Sequence, residues 1–331
     1  MMALSVSVAL CTRNGERFIE EQVRSILNQT LIPDELVVSD DASSDRTVVK
    51  IESAIADWRE HHPESQLKMV LFRNYAPLGI THNFEQAVRA ATGDLIALSD
   101  QDDVWLPNRL ERMVAEFGRR PELLLLHTDA FLIDADGRRV GSLFDALEIS
   151  ARTRAAVHGG EALAELLKRN IVTGATTMFR RAVRDLAIPF PPAWLHDEWL
   201  AVAAASTGIM DLLEEPLVEY RQHGTNEIGA SRLSITAKVR RLLEPGTERN
   251  RRLLLRSESL VERFDALQAP GPLREIAAEK LAHERARNAL VPNRARRVVG
   301  VMAELRTGRY TRFGRGVPDA LRDLVQPLGL N

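Results

Sequence analysis

The chain has 331 residues, of which 45% are hydrophobic and 27% are charged, with 44 Lys and Arg against 46 Asp and Glu. This composition is typical of globular proteins and excludes a mostly disordered or fibrous chain. No uncharged apolar stretch approaches the ~18 residues that a membrane-spanning helix needs, and the first residues lack the basic segment of a signal peptide. Cys11 is the single cysteine, so no intrachain disulfide can form, and a reducing compartment such as the cytoplasm fits.

The first hundred residues alternate between strand and helix patterns. Short apolar runs predict buried strands, and apolar residues at helical spacing predict the helices between them. The predicted strands are Ser5–Cys11, Glu35–Ser39, Lys68–Phe72 and Leu95–Ser99, and the predicted helices are Glu16–Gln29, Asp45–Arg59 and Thr81–Ala91. This alternation predicts an α/β fold with a mostly parallel central sheet flanked by helices.

The pattern loosens after the fourth strand. We predict helices over Asn108–Phe117, Glu161–Lys168 and Asp197–Ala205, an apolar segment Leu123–Ile133 that ends at an Asp-Ala-Asp-Gly turn, and strands Thr176–Phe179 and Leu217–Tyr220. From about Ser231 the pattern predicts helices interrupted at Pro245, Pro270 and Pro292.

Charge is distributed unevenly along the chain. Residues 231–331 contain 21 Lys and Arg and 11 Asp and Glu, whereas 23 basic and 35 acidic residues precede them. A basic segment on an acidic body suggests an anionic partner, which is a membrane surface, nucleic acid or the acidic body itself. We therefore expect one domain over residues 1–230 and a basic helical C-terminal region over residues 231–331.

Polar clusters follow three of the predicted strands, at residues 12–16, 40–45 and 100–103. Ligands of open α/β sheets bind beyond the carboxyl ends of the strands. Carboxylates held close together repel, and a hard divalent cation relieves this repulsion while bridging substrate phosphates. Residues 40–45 also suit a helix-capping turn, and residues 100–103 suit a solvated loop. The Asp-x-Asp spacing of Asp100 and Asp102 is by itself weak evidence for a cation site, because Asp134-Ala135-Asp136 has the same spacing in a predicted turn.

Three stretches taken in order resemble the family-2 inverting glycosyltransferases with the GT-A fold. They are VSVALCTRNGERFIEEQVRSILNQT, ELVVSDDASSDRT and NFEQAVRAATGDLIALSDQDDVWLPNRL, and the resemblance covers about residues 4–228. The strings SDQDDVW, HDEW and YRQHGTN resemble the bacterial rhamnosyltransferase-like branch. The resemblance implies that residues 1–230 form a GT-A catalytic domain. It implies transfer of rhamnose or a related hexose from a pyrimidine-nucleotide donor (a dTDP- or UDP-sugar) to a saccharide or lipid-linked acceptor hydroxyl, in cell-surface polysaccharide biosynthesis.

The resemblance also implies roles for individual residues. Asp102 closes the Asp-x-Asp motif and would hold Mg²⁺ or Mn²⁺, and His223 would approach the metal or the diphosphate. Asp197 matches the catalytic base, with Glu198 as the runner-up; many family members carry Glu where this chain has His196. The implied donor-binding residues are Thr12, Arg13, Glu16, Asp41 (at the base), Asp100 (at the ribose or sugar), Gly174 and Ala175.

The chemistry of these residue types agrees with the implied roles. A cation on Asp102 would neutralise the diphosphate leaving group, and a single carboxylate such as Asp197 would take the acceptor proton in a one-step, inverting displacement. Each residue also has an ordinary structural interpretation: Asp197 as a helix cap, His223 as an exposed loop residue, and Trp105, Trp194 and Trp199 as packing residues instead of sugar platforms.

Other functions remain open on the sequence alone. The same acidic strand ends suit a sugar-nucleotidyltransferase, a phosphohydrolase or a non-catalytic sugar-nucleotide-binding protein. The basic region either makes peripheral contact with the inner face of the cell membrane, or packs against the body or a second subunit. Nucleic-acid binding is not expected, because the region has few aromatic residues and no recognised binding motif.

Overall fold

The computed structural model describes residues 4–222, 247–267 and 269–327. These residues fall into two compact units. The first unit holds the described residues of Met1–Ala162 and Ile171–Ser231, and the second holds those of Leu163–Asn170 and Arg232–Asn331.

The first unit is built on one sheet, with nine strands among the described residues. The sheet order is β3-β2-β1-β4-β8-β6-β9-β5, and β7 pairs with β6 beside this path. The strands are β1 (Val6–Thr12), β2 (Glu35–Asp40), β3 (Lys68–Arg73), β4 (Leu95–Ser99), β5 (Val104–Trp105), β6 (Leu123–Ile133), β7 (Arg139–Ser142), β8 (Thr177–Arg180) and β9 (Ile209–Arg221).

The sheet has a parallel half and a mixed half. β1 pairs in parallel with β2 and β4, and β2 with β3. β8 is antiparallel to β4 and β6, β5 is antiparallel to β9, and β6 is parallel to β9. The predicted α/β class is confirmed. The mixed half includes the antiparallel pair of β6 and β7, which a tight turn at Asp134–Arg138 connects.

Helices flank the sheet and connect its strands. They are α1 (Ile19–Leu27), α2 (Thr47–His61), α3 (Ile80–Ala90), α4 (Arg109–Arg119), α5 (Leu143–Ala146), α6 (Ala151–His158), α8 (Arg181–Ala187) and α9 (His196–Thr207), whereas α7 (Ala162–Lys168) belongs from Leu163 onward to the second unit. The predicted helix from Glu16 begins three residues later, because residues 15–18 form a turn in which Phe18 and Ile19 donate to the Gly15 carbonyl. The apolar faces of α1, α2 and α4 pack in the core with β1, β2 and β4.

The last strand is longer than predicted. The pattern indicates a strand over Leu217–Tyr220, whereas β9 begins at Ile209 and passes through Pro216. The pairing of β6 with β9 shifts register next to this proline. A proline is tolerated in a strand at such an irregularity, and it hides the strand from a reading of the sequence.

The second unit is helical in its described residues. Its C-terminal helices are α10 (Thr247–Ala266), α11 (Gly271–Asn288), α12 (Arg294–Arg306), α13 (Arg309–Phe313) and α14 (Val317–Val325). The predicted breaks at Pro270 and Pro292 are confirmed, and the one at Pro245 lies outside the described residues. No helix in the described residues is both long enough and apolar enough to cross a membrane.

Candidate active site

The carboxyl ends of three parallel strands lie side by side. Thr12 at the end of β1 is in register with Asp40 on β2, and Leu10 on β1 is in register with Ser99 at the end of β4. β8 runs antiparallel to β4, so β8 begins where β4 ends, and the 3₁₀ turn Gly174–Thr176 precedes it there. The topology therefore brings residues from four separate stretches of sequence to one edge of the sheet.

Residues 100–103, which we call the acid loop, form the centre of this edge. The pKa of Asp100 is raised to about 7, chiefly by desolvation and further by the nearby carboxylates of Asp102 and Asp197, while Arg109 opposes the rise. Burial raises the pKa of Tyr220, and Asp103, Asp100, Asp102 and Asp197 add to the rise. These electrostatic influences show that the Asp197 carboxylate lies near the acid loop. The structure thus brings together the Asp-x-Asp motif and the predicted base.

Two buried arginines support the acid loop from inside the protein. Neither of them was predicted from the sequence. The Arg221 backbone N–H donates to Asp103 Oδ1 at 2.9 Å and its Nε donates to the Asp102 carbonyl at 2.8 Å. Arg221 Nη2 also donates to Glu21 on α1 at 2.7 Å. Arg221 lies in the YRQHG string, two residues before the predicted His223, so the family-like string around it could have pointed to this residue.

Arg109 at the start of α4 is fully buried. Its guanidinium lies 3.7 Å from the centre of the Trp105 ring, and burial lowers its pKa while Asp103 and Asp100 oppose that change. Its Nε and Nη1 have no hydrogen-bond partner in the described part of the chain. An arginine in the first turn of a predicted helix suggests a solvated residue, so no sequence signal pointed to its position behind the acid loop.

Asp197 lies in the first turn of α9, half-buried. Its Oδ2 accepts the Gly174 N–H at 3.0 Å and its Oδ1 accepts the Glu198 N–H at 2.7 Å. A carboxylate in this position is stabilised by these donors and by the positive end of the helix. The hydrogen bond also shows that the predicted Gly174–Ala175 loop directly contacts the predicted base.

The space between Gly174 and α9 is small. A Cβ placed on Gly174 would lie 2.9 Å from His196 Nε2 and 3.5 Å from Asp197 Cβ. His196 is buried and its ring stacks on Phe84 at 3.7 Å between centres, with an interplanar angle of 12°. Burial lowers the pKa of His196, so its ring is neutral at pH 7. His196 therefore acts as a packing residue between Gly174 and α3.

The predicted donor-binding residues at the ends of β1 and β2 are tied to each other. Arg13 exchanges hydrogen bonds with the Gln101 side chain, and its Nη1 lies 3.9 Å from Asp41 Oδ2. Burial raises the pKa of Cys11, and Asp100 and Asp41 raise it further, so these two carboxylates lie near the same point. Asp41 is thus close to the acid loop, as the prediction requires.

Several of these side chains already have protein partners. Asp41 accepts the Leu78 N–H at 2.5 Å and the Gly79 N–H at 3.0 Å. The buried Thr12 hydroxyl donates to Asp40. Glu16 is exposed, and its carboxylate accepts the Arg46 N–H at the start of α2. These contacts hold the loops in place, and the Arg13 side chain is exposed beside them.

The predicted metal ligands are only partly described. No group of three or more His, Cys, Asp or Glu side chains in residues 4–222, 247–267 and 269–327 is placed to hold a metal ion. His223 lies outside the described residues. The acid loop still fits a hard cation, because Asp100 and Asp102 are half-buried oxygen donors, and Asp103 Oδ2 is buried without a hydrogen-bond partner among the described residues. The three predicted tryptophans are buried and pack in the protein interior.

An α/β sheet with an acid loop at its central strand end, and a helix-borne carboxylate facing that loop, is the arrangement of a GT-A domain. The sequence pattern described as Glycosyl transferase family 2 matches residues 7–186, which is more than half of the chain. The chain therefore belongs to glycosyl transferase family 2.

Similar proteins agree with this assignment. An uncharacterised glycosyltransferase of Nostoc sp. is 26% identical over 235 residues, which cover 67% of this chain and 66% of that protein. The chain spans 59–66% of the length of the first curated relatives that it matches.

Solved structures show the same fold. TarS of S. aureus, in complex with UDP-GlcNAc, matches with a TM-score of 0.56 at 15% identity, over 91% of this chain and 81% of that chain. A mannosyltransferase of Pyrobaculum calidifontis, in complex with GDP-Man and Mn²⁺, matches with a TM-score of 0.51 at 22% identity, over 93% of this chain and 76% of that chain. The predicted GT-A fold is confirmed.

Proposed function

We propose that this protein is a metal-dependent inverting glycosyltransferase. It transfers rhamnose or a related hexose from a dTDP- or UDP-sugar to a hydroxyl of a saccharide or lipid-linked acceptor, in cell-surface polysaccharide biosynthesis. The observation that carries the proposal is the convergence of Asp197 with Asp100 and Asp102 at one edge of the sheet. A transferase of this kind needs a proton acceptor within reach of the charged groups that hold the donor diphosphate.

Asp197 is the proposed catalytic base. Its carboxylate is half-buried, whereas the neighbouring Glu198 is buried, so the acceptor hydroxyl has better access to Asp197. The Gly174 and Glu198 N–H groups hold both of its oxygens and fix the direction in which it accepts a proton. Positioning of this kind contributes to a general-base effect of roughly 10²–10⁴-fold.

Asp102 and Asp100 are the proposed residues for a Mg²⁺ or Mn²⁺ ion, with His223 as a further ligand. Bound there, the ion supplies Lewis-acid stabilisation of the leaving diphosphate. The chain's own contribution is to hold the acid loop rigid: Arg221 fixes Asp102 and Asp103 through backbone and side-chain hydrogen bonds, and Arg109 balances part of the loop's negative charge from behind. The structure of the P. calidifontis mannosyltransferase with Mn²⁺ supports a metal in this fold.

The donor nucleotide is proposed to lie along the ends of β1 and β2. Arg13 is exposed beside Asp41 and suits a phosphate or base contact, and Asp41 suits the base edge. The UDP-GlcNAc complex of S. aureus TarS supports a pyrimidine nucleotide, and the rhamnosyltransferase-like strings support a deoxyhexose. Thr12, Glu16, Gly174 and Ala175 complete the proposed donor site as the residues that shape its loops.

We further propose that residues 1–230 carry the catalytic domain and residues 231–331 the basic region. A protein with this composition and a single cysteine suits the cytoplasm, where nucleotide sugars are made available to acceptors at the inner face of the cell membrane.

A pair of aspartate variants tests the assignment of the base and the metal site. Purified protein is screened against nucleotide sugars by thermal shift with and without Mn²⁺, since a ligand that binds the folded state raises its melting temperature. Asp197→Asn should keep the donor-induced shift and lose sugar transfer by roughly 10²–10⁴-fold. Asp102→Ala should lose the Mn²⁺-dependent part of the shift.

The matched control is Asp136→Ala, which changes the last carboxylate of the other Asp-x-Asp triplet, in the exposed turn after β6. It should behave as the unmodified protein. Full turnover of Asp197→Asn would move the base to another residue, with Glu198 next. Donor hydrolysis that an acceptor does not increase would instead favour a phosphohydrolase, and donor binding without any turnover would favour a non-catalytic binding protein.

A further inference from the structure

Helix α12 of the second unit turns its apolar side to solvent. Val298, Val299 and Met302 are exposed, and Val299 has 74% of its surface accessible. The buried side of the same helix carries Arg297 and Glu304, together with Val301. A helix at the surface of a globular protein ordinarily has the opposite arrangement, with its apolar stripe toward the core.

Helix α14 also exposes an apolar row, although Ala320 and Leu324 pack on its inner side. Val317, Leu321 and Val325 recur every four residues, so they form one row along the helix, and all three are exposed. The buried side carries Ala320 and Asp323. Two helices of one unit therefore expose apolar rows while they bury charged groups.

Buried charged groups occupy much of the inner side of these helices, beside a small apolar cluster. Asp323 accepts hydrogen bonds from Arg287 Nε at 2.7 Å, Arg249 Nη2 at 2.8 Å and the Tyr310 hydroxyl at 2.9 Å. Arg297 Nη1 donates to the Asp323 carbonyl at 2.9 Å and the Gln326 carbonyl at 2.7 Å, at the end of α14. The interior is thus held by ion pairs and by hydrogen bonds to a helix end.

These contacts also make α12 and α14 neighbours. Arg297 joins them directly, and Val301 of α12 and Ala320 of α14 belong to one small cluster with Tyr310. The exposed rows lie on the sides of the two helices that face away from this cluster. We call the six exposed residues Val298, Val299, Met302, Val317, Leu321 and Val325 the outer row.

The part of the chain that carries the outer row is rich in arginine. Residues 291–327 contain eight arginines and three acidic residues. Two of the three acids, Glu304 and Asp323, are buried and bonded to arginines, while Arg294, Arg296 and Arg306 of α12 are exposed. The exposed charge of α12 is therefore positive.

We propose that the outer row and its arginines dock on an anionic lipid bilayer. Apolar side chains that enter the interface together with arginines that reach lipid phosphates supply the two signals that stable peripheral binding needs. A second copy of the same surface would bring like charges together, and the charge therefore favours lipid over self-association. This docking is independent of the donor chemistry, because its measurement needs neither donor nor acceptor.

Co-flotation of the full chain with vesicles tests the proposal. The vesicles contain either equal parts of phosphatidylglycerol and phosphatidylcholine or phosphatidylcholine alone. The protein should float with the anionic vesicles only, and added salt should weaken the association because it screens the arginines. Val317→Glu and Val325→Glu should each lower the partition coefficient by about ten-fold, since each removes an apolar contact and adds a repelled charge.

Each variant has a matched control of equal exposure in the first unit. Val317 and Val140 are both 61% exposed, and Val325 and Val49 are 52% and 53% exposed. Val140→Glu and Val49→Glu should therefore bind vesicles as the unmodified chain does. Two charge-reversal variants complete the set. Arg296→Glu in α12 should weaken vesicle binding, and Arg119→Glu at the exposed end of α4 should leave it unchanged.

Three results would overturn the proposal. The first is absence of binding to anionic vesicles, and the second is equal binding to neutral vesicles. The third is a dimer in analytical ultracentrifugation that Val317→Glu dissociates while vesicle binding stays unchanged, which would assign the outer row to a second copy of this chain. Thermal unfolding of every variant verifies that the exposed substitutions leave the fold intact.

Discussion

Replacement of Gly174 by alanine tests whether the Gly174 loop positions the proposed base. The new Cβ would lie 2.9 Å from His196 Nε2, where ordinary contacts begin at 3.4 Å, so one of the two groups must move by about 0.5 Å. His196 cannot yield easily, because its ring is buried and stacked on Phe84. The backbone of residue 174 would move instead, and its N–H would draw away from Asp197 Oδ2.

The expected effect is larger on catalysis than on stability. Overpacking of this kind costs roughly 1–3 kcal/mol of unfolding free energy. A displacement near 1 Å of a reacting group costs about 10²-fold in rate, so we expect kcat to fall by roughly 10–100-fold while the donor KM changes little. The assay is steady-state sugar transfer with the donor found by the thermal-shift screen, run beside thermal unfolding.

Gly118→Ala is the matched control. Gly118 lies inside α4, is exposed, and a Cβ there would meet nothing within 4 Å. This change should leave kcat unchanged and stabilise the helix by up to about 1 kcal/mol. Removal of the obstructing ring should make Gly174→Ala less harmful in a His196→Ala background than in the unmodified chain. Normal kcat in folded Gly174→Ala would refute the reasoning that this loop holds the base.

Two further substitutions address the arginine-supported parts of the protein. Arg221→Lys cannot keep the hydrogen bonds to both the Asp102 carbonyl and Glu21, so it should cost roughly 1–3 kcal/mol in unfolding free energy and raise the donor KM, as read by thermal unfolding and steady-state kinetics. Asp323→Asn should destabilise the chain by roughly 1.5–3 kcal/mol at pH 7, because it removes one of the two carboxylates that bond to the buried Arg287 and leaves only Glu284; urea unfolding measures this loss. Burial alone would raise the pKa of Asp323, but the hydrogen bond and charge of Arg287 lower it overall. The stabilisation is therefore complete above the unfolded pKa of ~4 and disappears as the pH falls through the lower folded value, so the gap between the two proteins should close in acid.

The parallel half of the sheet and the acid loop could be predicted because their signals are local. β1, β2 and β4 are continuous apolar runs, as strands buried on both faces must be, and each is followed at once by polar residues. Asp197 could be predicted as the base because it lies in the HDEW string, at the start of a predicted helix. The mixed half of the sheet was harder, because strands such as β9 pass through a proline and depend on partners distant in sequence.

Helices α12 and α14 show a second limit of sequence reasoning. In RARRVVGVMAELR the arginines and apolar residues recur on both sides of the helix, so the pattern does not say which side is buried. The answer depends on where Arg297 finds acceptors, and these are the carbonyls at the end of α14, more than 20 residues away. Amphipathicity of the basic region was visible in the sequence, but its direction was a property of the tertiary structure.

The carboxylates of the site could be predicted from the sequence, whereas the buried arginines could not, because the burial of an arginine depends on the tertiary structure. A carboxylate at the end of an apolar strand is conspicuous, because few groups of that kind occur there unless something holds them. The acid loop places Asp100, Asp102 and Asp103 within four residues; burial raises the pKa of both Asp100 and Asp103, and repulsion from neighbouring carboxylates adds to the rise. Such a loop persists only if buried positive charge offsets part of that repulsion before any ligand arrives. Arg109 and Arg221 meet this need, the first from α4, which follows the loop closely in the chain, and the second from the end of β9, which is distant from the loop in sequence. A site built from clustered carboxylates therefore implies buried cations behind it. An arginine at the start of a helix next to such a motif is a candidate for this buried role, although its polarity alone predicts a solvated side chain.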